Sequence, residues 1–581
     1  MSVFWKLRWF FRQQWRRYLV AVIALVVVGF AVLVPPWITG RVVDAIAQET
    51  LTMRALLGYV GIVLGIALVS YAMRVIWRVA LFGASYELAN QLRQQIYSHL
   101  TRQPSSFFQQ HGTGDLMARS TNDIQAVEMT AGEAVLALFD GALTGLLVLT
   151  VLVTLISWEL TLIALIPWPI VGYFMWRFGQ ELHESFRLAQ ARFSDLNDKV
   201  QESLAGVRLI RAFGREAVED DQFNAIAREA NEANQRVART DSKYDPAISL
   251  AVGMSFLLSI GGGAWFIVQG VMTLGQLTSF TLYLGFMIWP MFAVGWMLNL
   301  VERGQAAYNR IEELLHTEPT IADNGQMQDA VEPSLSIRVE RYQHAADAEP
   351  ALKDLSIEVP AGSLLGIVGP TGAGKTTLLD LLVRLQEGTA ADIRLGGVPL
   401  QDFTLHNLRH HLAVVPQTPF LFSASIADNI AMGAMASSQE AIEQVARIAE
   451  IHDDILRFPQ GYQTLVGERG VTLSGGQKQR LAIARALLLD APVLILDDAL
   501  SAVDVRTEQS ILTHLREARA GRTTLIACHR LTAIETADQI VVLQQGEIIE
   551  RGTHAELLAQ PGWYRRTYDY QQLEQAVEDG R

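Results

Sequence analysis

Residues 473–504 read LSGGQKQRLAIARALLLDAPVLILDDALSAVD. The first five form a Ser-Gly-Gly turn that opens a helix-forming run from Lys478. Free backbone N–H groups at such a helix start, together with the Ser474 hydroxyl, make an anion site. Residues 493–496 are all apolar and end in Asp497 and Asp498, the way a buried strand carries carboxylates to the edge of an active site. The rest of the chain is organised around this phosphate-reading turn and the carboxylate-bearing strand that follows it.

At 581 residues the chain exceeds one ordinary domain. It is 50% hydrophobic and only 18% charged, which points to membrane segments. The single cysteine, Cys528, excludes a disulfide scaffold and a cysteine metal cluster, and reads as an inert buried thiol. A formal charge of −13 argues against nucleic acid as a partner.

Residues 1–17 carry Lys6, Arg8, Arg12, Arg16 and Arg17 with no acid, interleaved with Phe4, Trp5, Trp9, Phe10, Phe11 and Trp15. That pattern predicts an interfacial helix on the inner face of a lipid bilayer, not a cleaved signal peptide, because further apolar spans follow. Span candidates run over 19–38, 55–73, 141–158 and 160–176, and the uncharged stretch 246–301 is long enough for two more, turning near 270–275. Six crossings result. The basic N-terminus and nearly uncharged outer loops place both the N-terminus and the C-terminal half in the cytoplasm, with the bacterial inner membrane as the default setting.

Segments 74–140 and 177–245 are polar, nearly equal in length and helix-compatible, each with a central break, at 111–115 (HGTGD) and 213–215 (FGR). Two antiparallel legs per segment would extend the spans by tens of ångströms at about 1.5 Å per residue. Arg74, Arg78 and Asp140 are ionisable groups near the cytoplasmic ends of spans, where snorkelling or structural pairing reads them as well as substrate contact does. Residues 302–315 prolong the sixth span as a charged helix, and 318–333 has loop composition. The expected organisation is an interfacial helix (1–17), a six-helix transmembrane domain (18–315), a linker (316–333) and a domain of alternating strands and helices (334–581).

Within that last domain an apolar strand at 363–368 leads into Gly369, Pro370, Thr371, Gly372, Ala373, Gly374, Lys375 and Thr376, followed by Thr377 and a helix over 378–385. This is the G-x-x-x-x-G-K-[ST] phosphate loop in strand–loop–helix context: backbone N–H groups wrap phosphates, Lys375 reaches the outer ones and the Thr376 hydroxyl takes Mg²⁺. Asp497, at a strand end, supplies the second Mg²⁺-side oxygen, as in other phosphate-loop NTPases.

With the phosphate loop, the LSGGQ signature and Asp497 in this order, the chain resembles an ATP-binding cassette (ABC) transporter. Six spans ahead of one cassette resemble an exporter half-transporter of the multidrug-resistance-like group, and segments such as 77–86 (WRVALFGASY) and 277–288 look like the Mdl-type bacterial half, usually one subunit of a heteromeric pair. The resemblance implies an all-α transmembrane domain with long intracellular helical extensions, fused to an α/β phosphate-loop nucleotide-binding domain that uses ATP and Mg²⁺. Gln417 resembles the glutamine that touches Mg²⁺ and the coupling turns. Residues 464–470 (TLVGERG) resemble the exporter loop ahead of the signature, 501–504 the dimer-facing loop after the strand, His529 the switch histidine, and the two rod turns the coupling helices. Ser474, Gly475, Gly476 and Gln477 would be lent to a partner's ATP.

Two positions depart from the pattern. The adenine-stacking tyrosine is expected where His344 stands, with Tyr342 two residues earlier, and either could serve. After the Mg²⁺ aspartate the family places a glutamate as the base that activates water; here it is Asp498, one methylene shorter and by geometry short of its water. The resemblance therefore implies a hydrophobic or amphiphilic small-molecule exporter paired with a different half that carries the glutamate, with a slow site on this subunit. A homodimer using Asp498, a lipid flippase, and an ATP-gated channel or membrane sensor are the alternatives.

Overall fold

The computed structural model describes residues 2–578 except 330, 345–348, 389, 435 and 468–472, and leaves out the side chains of 291, 575 and 578. Of the signature-side loop at 464–470, residues 468–470 lie outside this description. The chain forms two units: Met1–His99 with Gly114–Thr317, and Leu100–Thr113 with Glu318–Arg581.

The first unit is helical. Six helices are long and apolar enough to cross a membrane: α1 (Trp15–Ala47), α2 (Met53–Leu100), α3 (Thr113–Ile156), α4 (Trp158–Ala205), α5 (Glu216–Val268) and α6 (Leu274–His316). Ser157 alone separates α3 from α4; its hydroxyl oxygen accepts the Leu160 N–H and caps α4. The turn before α6 places Gly270 at φ +73°, and Thr273 and Gln276 close a reciprocal capping box. Ahead of α1, the short helices Ser2–Lys6 and Arg8–Gln13 bury Val3 and Phe10 completely; Leu7 between them is also fully buried, while Trp5 stays exposed. Lys6 pairs with Glu312 and Asn309 on α6, tying this amphipathic segment to the last span.

The polar extensions are helical, with breaks over 101–104, at 111–112 and at 213–215; of the break expected at 111–115 only the first two residues are non-helical, because the next helix begins at Thr113. α4 and α5 run side by side, bridged by Lys199–Glu219 at 2.6 Å and Lys243–Glu181 at 2.7 Å. α3 and α6 are joined by a different chemistry. The carboxylate of Asp123, only 8% exposed, accepts from the Arg310 guanidinium, and the buried Thr130 hydroxyl donates to the Leu300 carbonyl at 2.9 Å. Three π-helical turns interrupt α3, at Arg119–Asp123, Thr130–Ala134 and Leu152–Ile156; such turns re-aim side chains by widening the helix locally.

The second unit holds two sheets. One is four-stranded and antiparallel in the order β2 (Leu352–Val359), β1 (Leu335–Tyr342), β4 (Ala390–Leu395), β5 (Val398–Pro399). The other is six-stranded, in the order β10 (Glu547–Gly552), β9 (Gln539–Gln544), β3 (Leu364–Val368), β8 (Thr523–Ala527), β7 (Val493–Asp497), β6 (Leu412–Val415). All neighbours in it are parallel except β10 and β9. β3, β7 and β8 are near-continuous runs of buried apolar residues, as strands covered on both faces require. The carboxyl ends of β3, β6, β7 and β8 therefore open onto one crevice.

Two helix starts differ from the sequence expectation. The helix after the phosphate loop, α7, spans Lys375–Leu382, three residues earlier than expected, because Gly374 at φ +97° lets the chain enter the helix directly from the loop. The signature helix, α8, spans Gly475–Leu488, because the Ser474–Gln477 capping box satisfies its first N–H groups and offsets the poor helix propensity of two glycines.

At the α3–α6 seam, a Cβ on Gly304 would lie 1.8 Å from the Thr130 hydroxyl oxygen. Gly304→Val is expected to lower the thermal midpoint of the purified protein, at the cost of about 1–3 kcal/mol that overpacking carries. An unchanged midpoint in a detergent melting curve would rule out that close approach.

Candidate nucleotide site

The crevice above the parallel sheet contains a cleft of about 370 Å³ lined by His344, Ala351, Thr371, Gly372, Ala373, Gly374, Lys375, Thr376, Thr377, Gln417, Asp497, Asp498 and His529. The phosphate loop turns from β3 into α7, so the first N–H groups of α7 face the cleft, as an anion requires. Gly369 and Pro370 form the turn itself, and their carbonyls accept from Lys375 Nζ at 2.8 and 3.2 Å. Lys375 is 7% exposed, and burial pushes its ammonium below the ordinary lysine range, opposed by the nearby Asp498 and Asp497. An anion beside it would restore its charged form.

Thr376 Oγ1 donates to Asp497 Oδ2 at 2.8 Å, joining the start of α7 to the end of β7. Burial raises the Asp497 carboxyl above its usual range and Asp498 adds to the effect, while the Thr376 hydrogen bond and Lys375 oppose it. A carboxylate held in that condition suits a bound cation. The oxygen donors gathered here, the Thr376 hydroxyl, the Asp497 carboxylate and the Gln417 side-chain amide, are of the hard type that Mg²⁺ prefers.

Asp498 lies one residue beyond β7 with φ +46°, a left-handed conformation uncommon outside glycine. Its N–H donates to the Ala527 carbonyl at 2.8 Å, and its Oδ2 accepts from Gln417 Nε2 at 3.3 Å. The first bond fixes the backbone of Asp498, and the second touches its carboxylate. His529 follows β8 at the same edge. Cys528 beside it is buried, and burial drives its thiol far above the ordinary range, so it stays a thiol.

Of the two aromatic candidates, His344 lines the cleft, 3.4 Å from the Thr377 hydroxyl. Tyr342 is buried, and its hydroxyl is committed to Gln386, which in turn donates to Asp380. Ser474, Gly475, Gly476 and Gln477 do not line this cleft; Ser474 and Gly475 are exposed at the start of α8.

Three supporting residues carry no motif that sequence reading could have found. Gln571, in the C-terminal helix Trp563–Glu578, donates to the His529 carbonyl at 2.8 Å and accepts the Leu531 N–H at 2.9 Å, clamping the backbone around the histidine. Gln479 on α8 accepts the Ala502 N–H at 2.9 Å and donates to the Ser501 hydroxyl at 3.0 Å, fastening the signature helix to the loop at 501–504. Arg530 reaches the Val503 carbonyl at 3.1 Å and the buried Glu508, joining the same loop to the segment after His529.

Residues 18–291 match the family model described as ABC transporter transmembrane region, and residues 352–501 match the model described as ABC transporter. The chain is 50% identical over 579 residues to the multidrug resistance-like ATP-binding protein MdlA of Escherichia coli (strain K12), covering 100% of this chain and 98% of that one. It is 34% identical to an ATP-dependent lipid A-core flippase of Syntrophus aciditrophicus (strain SB), over 84% of this chain and 81% of that one. Among solved structures, a bacterial Atm1-family ABC exporter with ATP bound superposes with a TM-score of 0.78 at 28% identity, over 96% of this chain and 98% of the other. Matched through its membrane helices and its phosphate-loop domain alike, the chain belongs to the ABC transporter family, as a multi-pass membrane protein of the exporter type.

Proposed function

We propose that this chain is one half of an ATP-driven exporter for hydrophobic or amphiphilic compounds, that it works beside a different half, and that its own ATP site turns over slowly. The observation that carries the second part is the placement of Asp498 in the cleft, with a backbone and a side-chain hydrogen bond holding it. A glutamate would reach about 1.5 Å further, one carbon–carbon bond. With its backbone fixed, the shorter side chain has little means to make up that distance.

In the proposed cycle Gly369–Thr377 hold the phosphates through backbone N–H groups, with Lys375 leaving the Gly369 and Pro370 carbonyls to pair with the outer phosphate and His344 beside the base. Thr376, Asp497 and Gln417 would hold Mg²⁺, which when bound neutralises charge developing on the transferring phosphoryl group. Asp498 orients water and takes its proton inefficiently, Gln417 relays the state of the site, and His529 donates toward the outer phosphate. The signature residues Ser474–Gln477, outside this cleft and with Ser474 and Gly475 exposed, would complete a partner's site through the α8 start. The intracellular rods would transmit closure to the spans. Support for a neighbour beside the membrane half comes from α2, whose most apolar stretch has no residue buried in this chain. The setting in this reading is the bacterial inner membrane, with the N-terminus and the 334–581 domain in the cytoplasm. The relative described as a lipid A-core flippase favours lipid as a second substrate reading, which lipid-stimulated rather than drug-stimulated hydrolysis would distinguish.

Purified alone, the chain is expected to hydrolyse ATP slowly, and Asp498→Glu to raise the rate by roughly tenfold or more; brisk hydrolysis by the unaltered chain with no gain from Asp498→Glu would overturn the unlike-pair reading. Ser474→Glu puts an acid where an anion is to bind. It is expected to remove most ATPase activity of the co-purified pair while ATP photolabelling of this chain's own cleft persists, and loss of that labelling would refute the division of labour.

A further inference from the structure

Every Asp, Glu, Lys, Arg and His in the six membrane helices can be placed by counting at 1.5 Å per residue from the helix end at the short-turn side. Arg41, Asp44, Arg54 and Glu159 fall within about 9 Å of that end, and Arg177 and Arg74 at about 28 Å and beyond. Asp140 stands alone between these groups, about 24 Å along α3 from Ile156, inside a hydrocarbon layer about 30 Å thick. Its partner matches it in depth. Trp289 lies about 22 Å along α6 from Leu274, and its indole Nε1–H donates to Asp140 Oδ2 at 2.8 Å. Among the described residues Asp140 has no ion-pair partner, so its charge meets one neutral donor and nothing that cancels it.

The neighbours are aromatic and open. Trp289 and Trp296 stand edge to face, 6.4 Å between ring centres, and are 44% and 39% exposed; Phe139 on α3 and Phe292 on α6 are also exposed. One residue along, Gly141 packs so closely on Ala293 that α3 and α6 cannot shift apart at this level without losing the contact. Ionisable groups at membrane depth turn as a rule to the bundle interior or to a water-filled cavity, and Asp140 is half-buried. Indole faces next to an uncompensated carboxylate are the chemistry that recognises a cation wrapped in apolar surface.

We infer that Asp140, Trp289 and Trp296 form a substrate subsite that selects lipophilic monocations over neutral or anionic compounds of equal size, with Asp140 supplying the charge and the indoles the faces. This deepens the export reading above and rests on it for its physiological meaning. The probes are tetraphenylphosphonium and tetraphenylborate, which share a shape and differ in sign. Binding is measured by equilibrium dialysis to the full-length chain in nanodiscs, without nucleotide and with empty nanodiscs subtracted.

Saturable phosphonium binding is expected, weakened roughly tenfold or more in Asp140→Asn and severalfold in Trp296→Leu, with no saturable borate binding. Asp140→Glu should retain phosphonium binding. Trp289→Phe keeps a ring but frees the carboxylate and should leave affinity unchanged or tighter, whereas a purely structural bond predicts loss. Phosphonium bound equally by wild type and Asp140→Asn, or borate bound as tightly as phosphonium, overturns the inference. Should Asp140→Asn fail to fold, the Trp289→Phe and borate arms decide it. A chain that binds the cation but does not hydrolyse ATP refutes the transport reading alone, and one that hydrolyses without charge preference refutes this inference alone.

Discussion

Thr376 and Asp497 meet across 2.8 Å, and that bond fastens the helix after the phosphate loop to the end of the central strand β7. The nucleotide site depends on it because the groups around it are charged and poorly solvated. Burial pushes Lys375 toward its neutral amine and Asp497 toward its neutral acid. Asp380, also raised by burial and by Asp497, is braced by Gln386. An anion at Lys375 and a cation at Asp497 each restore a charged form, so a ligand carrying both gains from two groups at once and stabilises the domain as it binds. A parallel sheet makes this possible, since neighbouring strands that run the same way deliver their carboxyl ends to one edge.

Much of that edge was legible in the sequence because its information is local. A buried strand announces itself as an apolar run, and a loop that must wrap phosphates announces itself through glycines followed by Lys375 and Thr376. What was not legible is set by contacts distant along the chain. The left-handed backbone of Asp498 follows from its N–H reaching Ala527 on β8. The clamp on His529 comes from Gln571, which carries no motif. His344 lines the cleft, whereas the Tyr342 hydroxyl is bonded to Gln386. Counting residues back from the phosphate loop cannot register that.

In the membrane half, span number followed from the length of apolar runs, and helix rotation did not, because Leu, Val and Ile look alike on every face. The seam between α3 and α6 is therefore a structural finding. It includes an acid–base pair, Asp123 with Arg310, a buried hydroxyl, Thr130, and close approaches at Gly304 and Gly141. α2 shows the same limit from the other side. Its C-terminal half buries Leu81, Leu88, Leu92 and Ile96 at helical spacing, while its most apolar stretch buries nothing within this chain. Both halves are built from helix-forming residues, and only packing separates them.

The separation of Ser474 from the cleft bears on how one ATP can be served. α8 begins with a capping box that uses the Ser474 and Gln477 side chains on its own first turn, and Gly475 beside them is exposed. An anion bound there is not the anion bound by Lys375, because none of these residues lines that cleft. On the proposed reading each ATP touches two chains, and the two ends of 473–504 serve different nucleotides. Gln479 then gains a particular importance, since it ties α8 to the loop at 501–504 that leads away from Asp498. Whatever displaces the signature on one ATP would pull on the strand end that faces the other. A short carboxylate at Asp498 would spare this chain's site from rapid hydrolysis while leaving that mechanical link intact, and two unlike halves could then divide clamping from turnover.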